Sequence, residues 1–254
     1  MIVTIAQKST KLKKISLDEF REHLTCKDLN KSDLVVFPEL FLNGYLLKDA
    51  IFEDAYEIEE LEEFALLSKD FDLVFGAVTK EESNYYNSAV YCSNGEIKKI
   101  HHKSALPNYG LFQEARFFFK GESVESFDTK FGKTFLVVCE EIFDSSVIDK
   151  IAKSKPDLVI VISNSPSRGF SDEGLLIQKQ WYSLLSTTAL LSGANVVFSN
   201  RVGFEDGLGF WGGSAFVSPK GEILKQAKLF EEEYLSDTLQ KRLSKTQKYL
   251  LRGY

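Results

Sequence analysis

The chain has 254 residues, a net charge of −6 and three scattered cysteines. A chain of that length buries roughly 70–75% of its unfolded surface without a covalent staple, and the negative balance argues against nucleic acid or an anionic membrane as the main partner. Cys26, Cys92 and Cys139 form neither a disulfide framework nor a zinc spacing. The apolar part of MIVTIAQKSTK is too short for a signal peptide and no apolar run reaches membrane length, so a reducing cytoplasm is the expected setting.

In chain order, residues 2–6 read as a short opening strand. Ser16 and Glu19 form a capping box, with Ile15 and Phe20 as its hydrophobic staple, and a helix runs from there to about Leu29. DLVVF (33–37), DLVFGAV (72–78) and DLVIVIS (157–163) are apolar runs without alternation, the pattern of strands covered on both faces. Helical patterns precede two of them, at about 54–69 and 145–154. SAVYCSNGEIKKIHHK alternates around Asn94-Gly95, a two-residue hairpin signal. Further hairpins turn near Phe131-Gly132 and at Pro219-Lys220-Gly221. A longer helix is expected over 172–192, with Ser171 as N-cap, Asp172 and Glu173 in its first turn and Gly193 at its end. Its residues Ile177, Trp181, Leu184, Leu185 and Thr188 share one face. No linker interrupts the pattern, so 1–254 is read as one mixed α/β domain.

The ends of the runs carry the chemistry. DLVVF is followed by Pro38-Glu39, EIKKIHH by Lys103, KTFLVV by Cys139 and DLVIVIS by Asn164. In α/β sheets, sites gather beyond the carboxyl ends of strands, and a carboxylate, an ammonium and a thiol there make a base, an oxyanion stabiliser and a nucleophile. Each has a plainer reading: Cys139 as a small core residue, Glu39 as a cap, Lys103 as a surface charge. His101-His102 is not read as a metal pair, because neighbours on a strand point to opposite faces.

FPELFLNGY, HHKSALPNYGLFQEARFFFKG and LVVCEEIFD, in this order, resemble the nitrilase, or carbon–nitrogen hydrolase, superfamily. The resemblance implies a four-layer αββα sandwich and places Glu39, Lys103 and Cys139 at its Glu–Lys–Cys triad, with Glu114 as the additional carboxylate. The plainer reading of Glu114 is a salt bridge to Arg116. NSP (164–166) and the segment 200–224 resemble later parts of the family, so the similarity runs from Ile2 to about Leu224. The middle motif is most similar to the glutaminase domain of glutamine-dependent NAD synthetases, which implies that Tyr109, Glu140 and Ser165 hold the substrate. Asn164 joins them as a strand-end residue, and Arg168 is either a carboxylate clamp or a surface arginine. Those synthetases usually read Glu-Asp and then Trp after the cysteine, where this chain has Glu140-Glu141-Ile142-Phe143. GFWGGS leads into a strand-like run and is not a phosphate loop, and the 254 residues carry no ATP-using synthetase segment.

The expected activity is therefore that of a cysteine-dependent amidase on a small linear amide, glutamine-like or another ω-amide, through a thioester and without metal or cofactor. Lys103 is expected to lower the pKa of Cys139. Alternatives are a stand-alone glutaminase-like subunit feeding ammonia to a separate synthetase, an N-carbamoyl amine hydrolase or nitrilase, and a non-catalytic binding protein on the same fold. The pocket is assigned to loops around 41–53, 106–118, 166–171 and 201–211. A homodimer is expected as well. The helix at 172–192 carries surplus apolar residues, Tyr182 and Leu191 among them, and the mixed tail from Leu229, with Tyr249 and Leu250, reads as a surface that crosses to a neighbouring subunit.

Overall fold

The computed structural model describes residues 1–247 except Lys27, Asp28, Asn30, Leu46, Leu47, Leu111, Glu173, Asp206, Lys241, Arg242 and Lys245. The expectations for Glu173, Tyr249 and Leu250 thus lie outside the described residues.

Two sheets form the centre. In the first, the strands lie in the order Glu233–Thr238, Ile2–Gln7, Leu34–Val36, Asp72–Glu81, Asn84–Ser93, Glu96–His102, with Tyr56–Glu57 beside Asp72–Glu81. In the second the order is Ile223–Gln226, Ala215–Val217, Asn195–Asn200, Leu158–Ser163, Gly132–Val138, Ser126–Thr129. Ile2–Gln7, Leu34–Val36 and Asp72–Glu81 run parallel, as do Gly132–Val138, Leu158–Ser163 and Asn195–Asn200.

Three apolar layers explain the unalternating runs. Leu34 and Val36 face the second sheet, meeting Val138, Ile160 and Ile162 in a core between the sheets. The intervening Val35 and Phe37 face outward, where Phe20, Leu61 and Phe64 from the helices Leu17–Leu24 and Ile58–Ala65 cover them. On the other side Val159 and Val161 pack under Ile151, Ile177, Trp181 and Leu185 from the helices Ser145–Ser154 and Leu176–Ser192. Each strand residue is buried on whichever face it points to. The result is the expected four-layer αββα sandwich.

Local signals hold where backbone chemistry decides. Ser16 and Glu19 cap their helix reciprocally. Asn94 and Gly95 both take positive φ, +56° and +79°, as a tight hairpin turn requires. Three expectations are corrected. The first helix stops at Leu24, with Thr25 as its cap, rather than at Leu29. The long helix starts at Leu176: Ser171 lies in a short hairpin, Phe170–Ser171 against Gly174–Leu175, and its hydroxyl donates to Gly174 O, so it does not cap a helix. The tail from Leu229 folds back on its own chain, at least to Gln240. Glu233–Thr238 pairs antiparallel with Ile2–Gln7, Leu235 is buried, and the Gln240 amide donates to Asn195. Pairing covers an otherwise open sheet edge. Tyr182 is likewise used internally, its hydroxyl donating to Gly213 O.

Among the described residues no helix is long and apolar enough to cross a membrane.

Candidate active site

The parallel register sends several strand ends to one side of the molecule. Glu39 follows Leu34–Val36, Lys103 follows Glu96–His102, Cys139 follows Gly132–Val138 and Asn164 follows Leu158–Ser163. Glu39 and Lys103 are fully buried, Glu114 nearly so, and Cys139 is partly buried as a residue.

Lys103 Nζ donates to Glu39 Oε1 at 2.7 Å and to Glu114 Oε1 at 2.9 Å. Glu114 therefore pairs with Lys103 and not with Arg116. Asn87 Nδ2 donates to the same Glu39 oxygen at 2.8 Å, and the Asn164 backbone N–H donates to Glu39 Oε2 at 2.7 Å. The Tyr45 hydroxyl donates to Glu114 Oε1 at 2.7 Å. Glu114 Oε2 is buried and lies 2.8 Å from Lys103 Nζ, but has no aligned donor. Burial alone would depress the Lys103 ammonium, yet the charges of Glu114 and Glu39 outweigh it and hold its pKa well above the ordinary lysine value. Two carboxylates share that one cation. The strain falls on Glu114, which burial and Glu39 push up to about 7 against the pull of Lys103.

Cys139 opens a 3₁₀ turn, Cys139–Phe143, with φ of +47°, a left-handed conformation that side chains other than glycine seldom adopt. Such strain persists where the surroundings over-determine it. Ser163 Oγ donates to its Sγ at 3.3 Å. Lys103 pulls the thiol's pKa down, as expected, but does not decide the net shift. Burial and then the charge of Glu39 raise it well above the ordinary thiol value, and the opposing Lys103 charge is the weaker.

The candidate ligand-binding residues divide. The Tyr109 hydroxyl donates to both Glu140 oxygens, at 2.9 and 3.0 Å, and burial followed by that carboxylate pushes its pKa up to about 12. Arg168 is exposed, and its charge reaches Tyr109. Ser165 is buried with its hydroxyl accepting from Trp181 Nε1 at 2.9 Å, so it is committed to the helix layer first. Both polar atoms of the buried Asn164 side chain lack a partner. A cavity of about 140 Å³ lined by Tyr45, Ile51, Glu114 and Phe117 opens beside Glu114, from two of the loops expected to build a pocket. A larger cleft of about 740 Å³ runs along the outer side of the 104–120 loop, with Tyr109 and Glu140 on its wall.

His101 and His102 part as strand neighbours do: His101 meets Glu141, while His102 meets Glu81 and Ser88. Among the described residues no three His, Cys, Asp or Glu side chains are grouped to hold a metal.

The sequence left four contributors unmarked. Asn87 and Tyr45 carry no signal of their own. Gly76 and Gly121 do: an isolated glycine in a strand pattern or after an aromatic run marks close backbone approach. A Cβ on Gly76 would stand 2.2 Å from Leu40 N, and one on Gly121 would stand 2.0 Å from His102 O. These glycines let the segments bearing Glu39 and Lys103 lie flat against their neighbours.

Comparison with known proteins places the chain in a family. A glutamine-dependent NAD(+) synthetase from Acinetobacter baylyi is 31% identical over 254 aligned positions, covering 91% of this chain and 46% of that protein. The solved structure of a glutamine-dependent NAD+ synthetase from Acinetobacter baumannii matches with a TM-score of 0.82 at 28% identity, over 98% of this chain and 50% of that one. A carbon–nitrogen hydrolase from Helicobacter pylori G27 shares the fold, with a TM-score of 0.85 at 24% identity over 100% of this chain and 92% of that one. The chain spans about half the length of the curated synthetases it matches. The family model for carbon–nitrogen hydrolases matches residues 18–249, and with that span the chain belongs to the carbon–nitrogen hydrolase family.

Proposed function

We propose that the protein is a cysteine-dependent amidase that hydrolyses the C–N bond of a small linear amide, glutamine-like or another ω-amide, to the acid and ammonia. The observation that carries this reading is the buried Glu39–Lys103–Glu114 network beside a thiol held in a left-handed turn.

A thiol whose pKa burial and Glu39 push upward fits an order of events in which the proton leaves as the sulfur attacks. Glu39 takes the proton from Cys139 Sγ as the sulfur bonds to the amide carbon, so no free thiolate is needed beforehand. Lys103 and the Glu140 N–H face the oxyanion that forms, each donor contributing about 3–4 kcal/mol in comparable sites. Glu39 returns the proton to the departing nitrogen, the C–N bond breaks, and ammonia leaves a thioester. Water then attacks with Glu39 again as base, and the acid and the thiol are released. Glu114 Oε2, without an aligned donor, is placed to accept from the substrate NH₂ while Oε1 steadies Lys103. Lys103 supplies the electrostatic stabilisation, and the scheme uses no cofactor.

A second reading, a glutaminase-like subunit that supplies ammonia to a separate synthetase, is favoured by the Tyr109–Glu140 pair, whose carboxylate suits an α-ammonium, and by the likeness to glutamine-dependent synthetases. One experiment tests both: ammonia release from L-glutamine, other ω-amides, N-carbamoyl amines and nitriles, with Cys139→Ala alongside. Release from an amide that disappears in the variant supports the proposal. Turnover that survives in Cys139→Ala sinks it.

A further inference from the structure

Glu141 has a role separate from the reacting groups. Its side chain is fully buried and sits where Lys103's segment meets that of Cys139. Oε1 accepts from the Ser104 backbone N–H and hydroxyl, both at 2.6 Å, and Oε2 accepts from the Val138 N–H at 2.6 Å. His101 Nε2 lies 3.0 and 2.9 Å from the two oxygens and donates to the carboxylate. Three of these partners touch the chemistry by position: His101 and Ser104 bracket Lys103, and Val138 precedes Cys139. The two segments belong to different sheets, so a single carboxylate ties the end of one to the end of the other. A surface acid at a helix start would need none of these donors.

We propose that Glu141 is a positioning residue that fixes the distance between Lys103 and the Cys139 turn, by gathering donors from both strand ends onto one buried carboxylate. The proposal rests on the reading that Lys103, Glu39 and Cys139 perform the reaction. Burial would raise the pKa of Glu141, but His101 and Ser104 outweigh it and keep the carboxyl below its ordinary range, so the acceptor stays ionised. A carboxamide here must turn an NH₂ toward at least one N–H or O–H, leaving that donor unmade. An aspartate keeps the charge but loses one methylene of reach.

The probe is iodoacetamide, with the rate of labelling at Cys139 read by peptide mass against Cys26, and melting temperature measured on the same samples. Wild type, E141Q, E141D, S104A and E39Q are compared at one pH. E141Q is expected to label at Cys139 at least tenfold more slowly, with Cys26 unchanged, and E141D is expected to recover part of the rate. A lower melting temperature with a Cys139 rate within twofold of wild type makes Glu141 merely structural and overturns the proposal. If E141Q does not fold, S104A decides: a threefold or greater slowing at unchanged melting temperature supports the proposal, and an unchanged rate overturns it. E39Q separates the two levels. If E39Q slows labelling and the Glu141 and Ser104 variants do not, the positioning role fails alone. If E39Q leaves the rate unchanged, the catalytic reading has failed and the positioning role falls with it.

Discussion

Replacing Gly76 with alanine tests whether the placement of Glu39 depends on a backbone contact. The Gly76 amide donates to Pro38 O and its carbonyl accepts from Leu42 N, both at 3.1 Å, so the 38–42 segment lies against this strand. An added Cβ would stand 2.2 Å from Leu40 N, 2.6 Å from Glu39 C and 2.7 Å from Glu39 Cα. All three atoms are backbone, and no side chain can swing away. Ordinary contact requires the Glu39 segment to retreat by roughly an ångström, and overpacking of this kind costs about 1–3 kcal/mol. At this chain length that lowers the melting temperature by on the order of 5 °C. A misplacement of that size costs about 100-fold in rate when the group must meet a reacting atom. The assay is kcat for ammonia release from the best amide, with a calorimetric melt of the same preparation. Gly76→Ala with wild-type kcat would refute the claim that Glu39 is held by this contact, whatever its melting temperature.

Cys139→Ala is expected to fold and to lose all turnover, as circular dichroism and ammonia release would register. Lys103→Met is expected to cut kcat by more than about 100-fold with a smaller change in KM, because the ammonium matters most as the oxyanion forms; a rise in KM alone would make it a substrate clamp. Glu114, at about 7 when folded against 4.5 when free, holds a proton that the unfolded chain releases, so stability should fall as pH rises from about 4.5 through 7. Urea unfolding across that range should show a flatter dependence in Glu114→Gln. We also expect a homodimer, with the exposed Leu176, Leu190 and Leu191 of the helix Leu176–Ser192 as candidate contacts; a monomer at micromolar concentration in light scattering would refute it.

Glu39 and Cys139 were legible because each ends an apolar run with a polar group, whereas Lys103 follows the polar strand Glu96–His102 and was marked by the family resemblance. The Asn94-Gly95 turn and the Ser16–Glu19 cap were legible from local backbone chemistry. What failed depended on distant partners. Ser171 reads as a cap, but its hydroxyl bonds Gly174 O in a hairpin. The tail reads as surplus surface until Ile2–Gln7 is seen to need an edge partner. The direction of the Cys139 shift follows from how Glu39 and burial outweigh Lys103, a balance that no spacing encodes. Asn87 sits in mid-strand and becomes notable only through its bond to Glu39.

The proposed reacting groups come from both sheets: Glu39 and Lys103 from the first, Cys139 from the second. Neither sheet holds a working set by itself. The separation between base and sulfur is set by the Val36, Val138, Ile160 and Ile162 layer between them, much as a hinge pin sets the gap of a pair of jaws. Trimming a methylene in that layer would loosen the proposed site before any strand is lost, and the reactivity of one thiol becomes a gauge of how tightly the two halves have closed.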